Sequence, residues 1–207
     1  MRGKVDLKKE LKLLYHPSAK KPDILNVPAK AFLMLDGTGD PNTSPDYQAA
    51  VEALYGVSYS LKFMSKKKGQ DYVVMPLEGL WWGTPMGQHT FTEEVKEKFM
   101  WTMMIMQPDF ISEEMVEKAI EETRRKKGLE NLDEMRFETF EEGTVVQILH
   151  IGPYDAEGPT LDRMHQFTFN HGYHLRGKHH EIYMSDPRRT DPEKLRTVLR
   201  HPIEKKE

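Results

Sequence analysis

Apolar residues occur in two patterns along the chain: short continuous runs, and recurrence at every third or fourth position. Each pattern indicates a different kind of secondary structure. Compact apolar runs at 31–35, 72–82 and 98–107 are bounded by turn residues, which is typical of strands. Between the first two runs, apolar residues recur every three or four positions from Ser44 to Gly69. This segment predicts a long helix. Ser44 is a suitable N-cap and is followed by a proline, and Gly69 is a suitable helix end.

Helix end signals recur further along the chain. Ser112 precedes two glutamates, and four basic residues at 124–127 precede Gly128, which predicts a second helix whose ends match its dipole. Its apolar side is thin, so we expect this helix to lie on the surface as a connector. Pro159 predicts the start of a third helix that ends near Gly172.

The two halves of the chain repeat one plan. Each reads as an extended hairpin, a Gly/Asp/Pro turn, a helix that begins at a proline, a strand with one glutamate, and a final strand. The glutamates are Glu78 and Glu181, and the second hairpin is expected to join 135–141 to 144–151. This plan predicts an α+β fold of two tandem modules related by pseudo-twofold symmetry, with antiparallel sheets side by side and a ligand cleft between them. The predicted segments are an N-terminal arm at 1–22, a first module at 23–110, a connecting helix at 111–134 and a second module at 135–207.

Composition narrows the classes of function. The 207 residues carry 30 basic and 33 acidic side chains and a formal net charge of -3, which argues against a nucleic-acid binder. The absence of cysteine excludes disulfides, thiolate nucleophiles and cysteine-ligated metal centres. No apolar run approaches the ~20 residues of a membrane span, and the N-terminus lacks the apolar core of a signal peptide. We therefore expect a soluble, cytoplasmic protein without nucleic-acid or membrane partners.

Neither a metal site nor a cofactor is expected. His179 and His180 are neighbours on a predicted strand and point to opposite faces, so they cannot easily share an ion. His171 and His174 lack a usual ligand spacing. The chain contains no P-loop, no complete G-x-G-x-x-G and no G-x-S-x-G. Solvated or hydrogen-bonded histidines are the ordinary explanation.

The predicted strand at 177–185 carries a carboxylate of interest. Strand alternation puts His179, Glu181 and Tyr183 on one face. If that face lines the cleft, its aromatic and methionine-rich surroundings make an unpaired carboxylate costly for stability. Such a group can attract a cationic ligand, help to place an electrophile, or act as an acid or base. A glutamate on a solvated strand face is the alternative that the alternation leaves open.

Five long and unusual strings of residues make the chain familiar. They are FLMLDGTGDPNTSPDYQAAVEALY at 32–55, YVVMPLEGLWW at 72–82, WTMMIMQPDF at 101–110, LHIGPYDAEGPT at 149–160 and KHHEIYMSDPRRT at 178–190. In these strings the chain resembles the GyrI-like small-molecule-binding proteins in their stand-alone form, over nearly its whole length. The resemblance implies two tandem βαββ (SHS2-like) modules with a pocket between them.

The resemblance also implies a kind of ligand. In the wider family this domain serves as the effector-binding part of multidrug-responsive transcription regulators. There it holds bulky, flat, often cationic compounds among aromatics, next to a glutamate of the second module. The first 22 residues are too few for a helix-turn-helix, so the DNA-binding role of a regulator is not expected here.

Site residues follow from the same resemblance. Glu181 matches the family's glutamate by position and local pattern, and Tyr154 falls in its Gly-Pro-Tyr segment. The expected partner is an aromatic or cationic small molecule, bound for sequestration or detoxification. The residues expected to contact it are Trp81, Trp82, Trp101, Met104, Tyr154, Met164, Glu181 and Tyr183.

An enzyme is the alternative. Some stand-alone members are similar to hydrolases of cyclopropane-bearing, DNA-alkylating toxins. A strained ring conjugated to a carbonyl opens when water attacks its carbon. Glu181 would act as the general base, while Tyr154 or His150 would support the carbonyl oxygen. A protein partner such as DNA gyrase follows from the family name only.

Overall fold

The computed structural model describes residues 3–83, 99–129 and 131–206, and five α-helices and nine strands lie within these ranges. The helices are α1 (Leu7–Glu10), α2 (Lys12–Tyr15), α3 (Pro45–Lys67), α4 (Glu113–Lys127) and α5 (Gly158–Asn170). The strands are β1 (Asp23–Val27), β2 (Lys30–Thr38), β3 (Glu78–Trp82), β4 (Met100–Met106), β5 (Arg136–Phe140), β6 (Gly143–Ile151), β7 (Tyr173–Leu175), β8 (His179–Tyr183) and β9 (Arg196–Lys205). Short 3₁₀ helices occur at Asn131–Glu134, Tyr154–Ala156 and Pro192–Lys194. Within the described ranges no helix combines the length and the apolar character needed to cross a lipid bilayer.

The long helices begin and end at the residues whose chemistry predicts it. The hydroxyls of Ser44 and Ser112 each accept a hydrogen bond from the backbone N–H three residues on, at the start of α3 and α4. Gly128 closes α4 with φ 64°, in the left-handed region that favours glycine. α5 begins at Gly158, one residue before the predicted proline. The three predicted helices are confirmed.

The strand predicted at 72–82 is shorter in the structure. β3 begins only at Glu78, because Pro76 has no N–H to donate to a strand ladder. Upstream of it, Tyr72 is buried and forms an isolated parallel bridge with the N-terminal arm. The glycines at 83 and 87 predict a Gly-rich loop after this strand, and that segment lies almost wholly outside the described residues.

One antiparallel sheet carries both modules. Its strand order is β1-β6-β9-β8-β3-β4-β2-β5, with β7 paired to β9. β2, α3, β3 and β4 form the first βαββ unit, and β6, α5, β8 and β9 form the second. The units meet where β3 pairs with β8, which sets Gly79 opposite Glu181. The predicted α+β fold of two related units is confirmed.

The outermost strands are exchanged between the two units. β1 pairs with β6 of the second unit, and β5 pairs with β2 of the first. The extended hairpin predicted at the start of each half is therefore wrong. β1 does not pair with β2, and the strand at 135–141 does not pair with the strand at 144–151, although all four strands exist. Both edges of β6 are occupied, by β1 and β9, so β5 satisfies its backbone hydrogen bonds on β2 instead. β1, from the first half of the chain, thus pairs with the second unit, and β5, from the second half, pairs with the first. This exchange joins the two halves into one sheet.

The two faces of the sheet are covered by different elements. Alternation along β8 puts Glu181 on one face and His180 on the other, and we call these the Glu181 face and the His180 face. α5 lies on the Glu181 face, where Met164 packs with Leu199, the residue paired with Glu181. α3 lies on the same face, with Tyr47 against the indoles of β3 and β4. α4 packs on α3, and its role as a connector between the modules stays a prediction.

The His180 face carries a buried chain of polar and ionic groups. Tyr15 of the N-terminal arm donates to Glu78 at 2.7 Å, and the other Glu78 oxygen lies 3.0 Å from His180 Nε2. His180 Nδ1 lies 3.0 Å from Glu142, whose second oxygen accepts from Arg200 at 3.0 Å. All five side chains are buried. A buried charge is costly unless it is paired, so the network holds together only as a set.

Arg200 also fixes the N-terminal arm through the arm's backbone. Its Nη2 donates to the carbonyl of Leu14 at 2.8 Å. Gln147 accepts from Arg200 and donates to the carbonyl of Leu13 at 2.7 Å. The arm is therefore held to the sheet by polar contacts as well as by its buried Tyr15.

Electrostatic coupling keeps the two titrating groups of this network charged. Burial works against the ionised form of His180, but Glu142 and Glu78 outweigh it and raise the pKa of His180 to about 9. Burial likewise opposes the carboxylate of Glu142, yet His180 and Arg200 lower the pKa of Glu142 to about 2. At neutral pH an imidazolium thus lies between two carboxyl groups under the sheet.

We expect Arg200→Met to lower the free energy of unfolding by about 3 to 5 kcal/mol, because Glu142 then stays buried with one cation fewer. Chemical denaturation measures this change. Arg188→Met is the matched control, since Arg188 is exposed and its ion pair within the described residues is with Asp186, in a surface turn. Equal stabilities of Arg200→Met and the wild type would show that the network adds nothing.

The stability of the protein should fall as the pH rises from about 6.5 to about 9.5. The pKa of His180 is about 9 in the folded chain and ~6.5 in an unfolded one. Its contribution is therefore complete below the lower value and lost as the pH rises through the higher one. His180→Gln should flatten this slope, measured as the unfolding midpoint against pH. His174→Gln, at a half-exposed histidine paired with Glu204, should keep it.

Candidate functional site

Glu181 lies in the middle of the Glu181 face, with its side chain 17% exposed. It accepts a hydrogen bond from the Tyr183 hydroxyl at 2.8 Å. His179 Nε2 lies 3.4 Å from its other oxygen. These three residues share a face because they alternate along β8, as the sequence predicts. Glu181 is therefore neither on a freely solvated face nor sealed in the core.

Trp81 lies beside Glu181 because Gly79 leaves room for its indole. A Cβ placed on Gly79 would lie 2.8 Å from Trp81 Nε1 and 3.1 Å from the Met103 side chain. Trp81 Nε1 donates to the Tyr183 hydroxyl at 3.0 Å, and that hydroxyl donates onward to Glu181. The indole is thus oriented by hydrogen bonding towards the acid.

Two further tyrosines extend the aromatic surface from the helical layers. Tyr47 of α3 stacks on Trp81 with ring centroids 6.2 Å apart. Tyr154, at the start of a 3₁₀ helix, meets Tyr183 edge to face at 5.8 Å and is 38% exposed. Burial and then the charge of Glu181 raise the pKa of Tyr154 to about 12, and raise that of Tyr183 as well. All these hydroxyls stay protonated at neutral pH and can donate hydrogen bonds.

Glu157 is a second acid that the sequence reasoning missed. It occupies the N-cap position of α5 and is 5% exposed. Burial first, and then the charge of Glu181, raise the pKa of Glu157 well above its usual range, while the nearby Thr197 hydroxyl opposes the rise. The signal available in the sequence was its place directly before Gly158-Pro159 at a predicted helix start. Two carboxyl groups thus influence each other on this face.

His150 is close to α5 but is held by local contacts. Its Nδ1 lies 3.0 Å from the Thr160 hydroxyl and its Nε2 lies 3.2 Å from the carbonyl of Pro153. Both ring nitrogens therefore hold the turn that leads into α5. The catalytic role given to His150 stays a prediction, and its geometry favours a positioning role.

Trp82 and Met104 lie on the His180 face rather than beside Glu181. Trp82 alternates with Trp81 along β3, and the Lys178 ammonium lies 3.3 Å from the centre of its ring. Met104 pairs with Glu78 across β3 and β4 and is fully buried. The strand period places both away from the site, although composition alone could not distinguish the faces.

Trp101 and Met164 lie on the Glu181 face but deep in the packing. Trp101 is fully buried and fills the space above Gly37, where a Cβ would lie 2.1 Å from its ring. Tyr47 covers it edge to face at 5.4 Å. Met164 belongs to α5 and is fully buried between that helix and the sheet. Both residues support the site wall, and their direct contact with a ligand stays a prediction.

Three histidines lie along one flank of the site. The rings of His179 and His201 are 5.7 Å apart, and those of His201 and His165 are 6.1 Å apart. Burial, His179 and His165 together lower the pKa of His201 to about 3, so it is neutral at physiological pH. Among the described residues no group of three or more potential ligands could hold a metal ion.

The fold and the site together define a class: an α+β small-molecule-binding domain built on two βαββ units. Residues 20–204 match the family described as GyrI-like small molecule binding domain, and the chain belongs to this family. The resemblance seen in the sequence is thereby confirmed. A comparison with curated proteins found no match.

Solved structures resemble the chain at two levels. An uncharacterized conserved protein from Listeria innocua is 40% identical, with a TM-score of 0.89 over 97% of this chain and 100% of that one. A hydrolase from Listeria innocua is 41% identical, with a TM-score of 0.85 over 97% of this chain and 100% of that one. The C-terminal domain of EcmrR is 14% identical, with a TM-score of 0.53 over 90% of this chain and 98% of that one. The last of these likenesses shows a shared fold alone.

Proposed function

We propose that the Glu181 face binds bulky, flat, amphipathic compounds, aromatic and preferably cationic, for sequestration or detoxification. The observation that carries the proposal is the half-buried carboxylate of Glu181 set among aromatic rings. Its described polar contacts are Tyr183 and His179. Across 3–83, 99–129 and 131–206, no lysine or arginine forms an ion pair with it. A cationic ligand would supply the missing counter-charge.

The aromatic residues supply the apolar part of such a site. Trp81 and Tyr47 stack, and Tyr154 presents an exposed ring edge beside Tyr183. Flat rings held between aromatic side chains gain from burial of area and from offset stacking. A ligand cation close to these rings gains a further cation–π term of roughly 0.5 to 2 kcal/mol. Membership of a small-molecule-binding family agrees with this use of the face.

Glu181→Gln should weaken binding of N-methylacridinium, a flat cation, by about tenfold or more, since one charge pair in a half-buried site is worth on the order of 1.5 to 3 kcal/mol. Binding of N-methylacridone, its neutral counterpart, should change little. Tryptophan fluorescence titration of both compounds measures the effect. Glu138→Gln, at an exposed glutamate of β5, is the matched control. Equal losses of affinity for the two ligands would show that the charge of Glu181 has no role in binding.

A hydrolase is the second candidate, and two observations favour it. The site offers two carboxyl groups, Glu181 and Glu157, which have different surroundings. A similar protein from Listeria innocua is described as a hydrolase. In this proposal Glu181 takes a proton from water as the water oxygen bonds to a cyclopropane carbon. The ring C–C bond breaks, its electron pair passes to the conjugated carbonyl, and the Tyr154 hydroxyl supports the developing oxyanion.

For this candidate we expect the protein to accelerate ring opening of a cyclopropane-containing indole alkylator, followed by mass spectrometry of the water adduct. Glu181→Gln should lose the acceleration by about a hundredfold or more, as removal of a general base does. Tyr154→Phe should lose less. Rates equal to that in buffer, or full activity in Glu181→Gln, would remove the enzyme candidate and leave binding in place.

A further inference from the structure

Glu157 is a buried acid that forms no ion pair within the part of the chain that the structure describes. The 3₁₀ turn at Tyr154–Ala156 leads directly to Glu157 at the N-cap of α5, where Glu181 of β8 and Thr197 of β9 act on it. Its Oε1 is buried and has no hydrogen-bond partner among the described residues. A buried, unpaired carboxylate is costly, whereas the neutral carboxyl group is not penalised in this way. The position thus favours a proton on Glu157 while the site is empty.

Glu181 adds a like charge to this surrounding. Burial and Glu181 act in the same direction on Glu157, and both disfavour a second negative charge. Carboxyl groups that share a site titrate as a pair, and one of them keeps its proton above the usual range. Glu181 differs from Glu157 in its surroundings, because it is more exposed and accepts a hydrogen bond from Tyr183.

Within the described residues, the groups that face the pair are tyrosines, histidines and one further acid. The strands contribute a tyrosine and three histidines: Tyr183, His150, His179 and His201. The helical side contributes Tyr47, Tyr154 and His165. Asp186 also acts on Tyr154. The tyrosines are neutral because their pKa values are raised, and His201 is neutral because its pKa is lowered. His179 Nε2 lies 3.4 Å from a carboxylate oxygen of Glu181, so its contribution is tested separately.

We propose that Glu157 and Glu181 form a carboxyl pair that holds one proton in the empty site and releases it when a cationic ligand enters. The inference rests on the proposed binding function and adds an exchange: one cation in, one proton out. A bound cation stabilises the second negative charge, so affinity for the ligand must rise with pH by linkage. A neutral ligand of the same shape gains nothing from the exchange and binds independently of pH.

Isothermal titration calorimetry with N-methylacridinium tests the exchange. Titrations at pH 6, 7 and 8 in buffers of different ionisation enthalpy count the protons released. The wild type should release a fraction that approaches one proton, and its affinity should rise by up to about tenfold per pH unit where the pair is protonated. Glu157→Gln should still bind the cation, with no proton release and no dependence on pH. His179→Gln should release protons like the wild type.

The outcomes separate this inference from the function on which it rests. Binding of N-methylacridinium by the wild type with no proton release at any of the three pH values would overturn the exchange and leave the binding site intact. Release that persists in Glu157→Gln, or disappears in His179→Gln, would assign the proton elsewhere and overturn the exchange as well. Failure of the wild type to bind the cation would overturn both the binding function and the exchange.

Discussion

The pleat of β8 is the constraint on which the rest of the molecule depends. Neighbouring residues on a strand point to opposite faces, so one short strand presents His180 to a buried ionic network and Glu181 to the aromatic site. A shift of register by one residue would exchange these two environments. The pairing with β3 resists such a shift, because Gly79 opposite Glu181 leaves the space that the Trp81 indole needs.

The exchanged outer strands give this central pairing its support. Because β1 crosses to β6 and β5 crosses to β2, neither unit can separate at β3–β8 without breaking the edges of the sheet. The N-terminal arm adds a third tie, since Tyr15 reaches Glu78 on β3 while Leu14 accepts from Arg200 on β9. The site at the junction is therefore held by contacts that span the whole sheet.

Local signals predicted the local structure well. Ser44, Ser112 and Gly128 act within one helical turn, and the structure uses them as their chemistry indicates. The alternation of His179, Glu181 and Tyr183 is also local, and it correctly grouped the residues of one face. These features needed no knowledge of distant partners.

Other features depended on partners far away in the sequence. The 135–141 and 144–151 strands look like a hairpin, but the edges of β6 were already taken by strands elsewhere in the chain. Trp82 carries the same aromatic signal as Trp81, and only the register of β3 tells them apart. Glu157 gives a helix-start signal, and its closeness to Glu181 arises from the packing of α5 on the sheet.

The two faces of the sheet differ in how their buried charges are paired, and this difference explains how the protein tolerates unpaired acids at the site. On the His180 face every buried charge is matched, since Glu142 lies between His180 and Arg200. On the Glu181 face two acids form no ion pair with a lysine or arginine of the described residues, and a buried carboxylate without a counter-charge costs stability. Both faces belong to the same strands. The stability gained on the His180 face therefore also holds the Glu181 face in place, although its unpaired acids are destabilising. Under the proposed function, a ligand that brings positive charge would relieve this cost, and a neutral ligand of the same shape would not, so the unpaired acids would favour the cation.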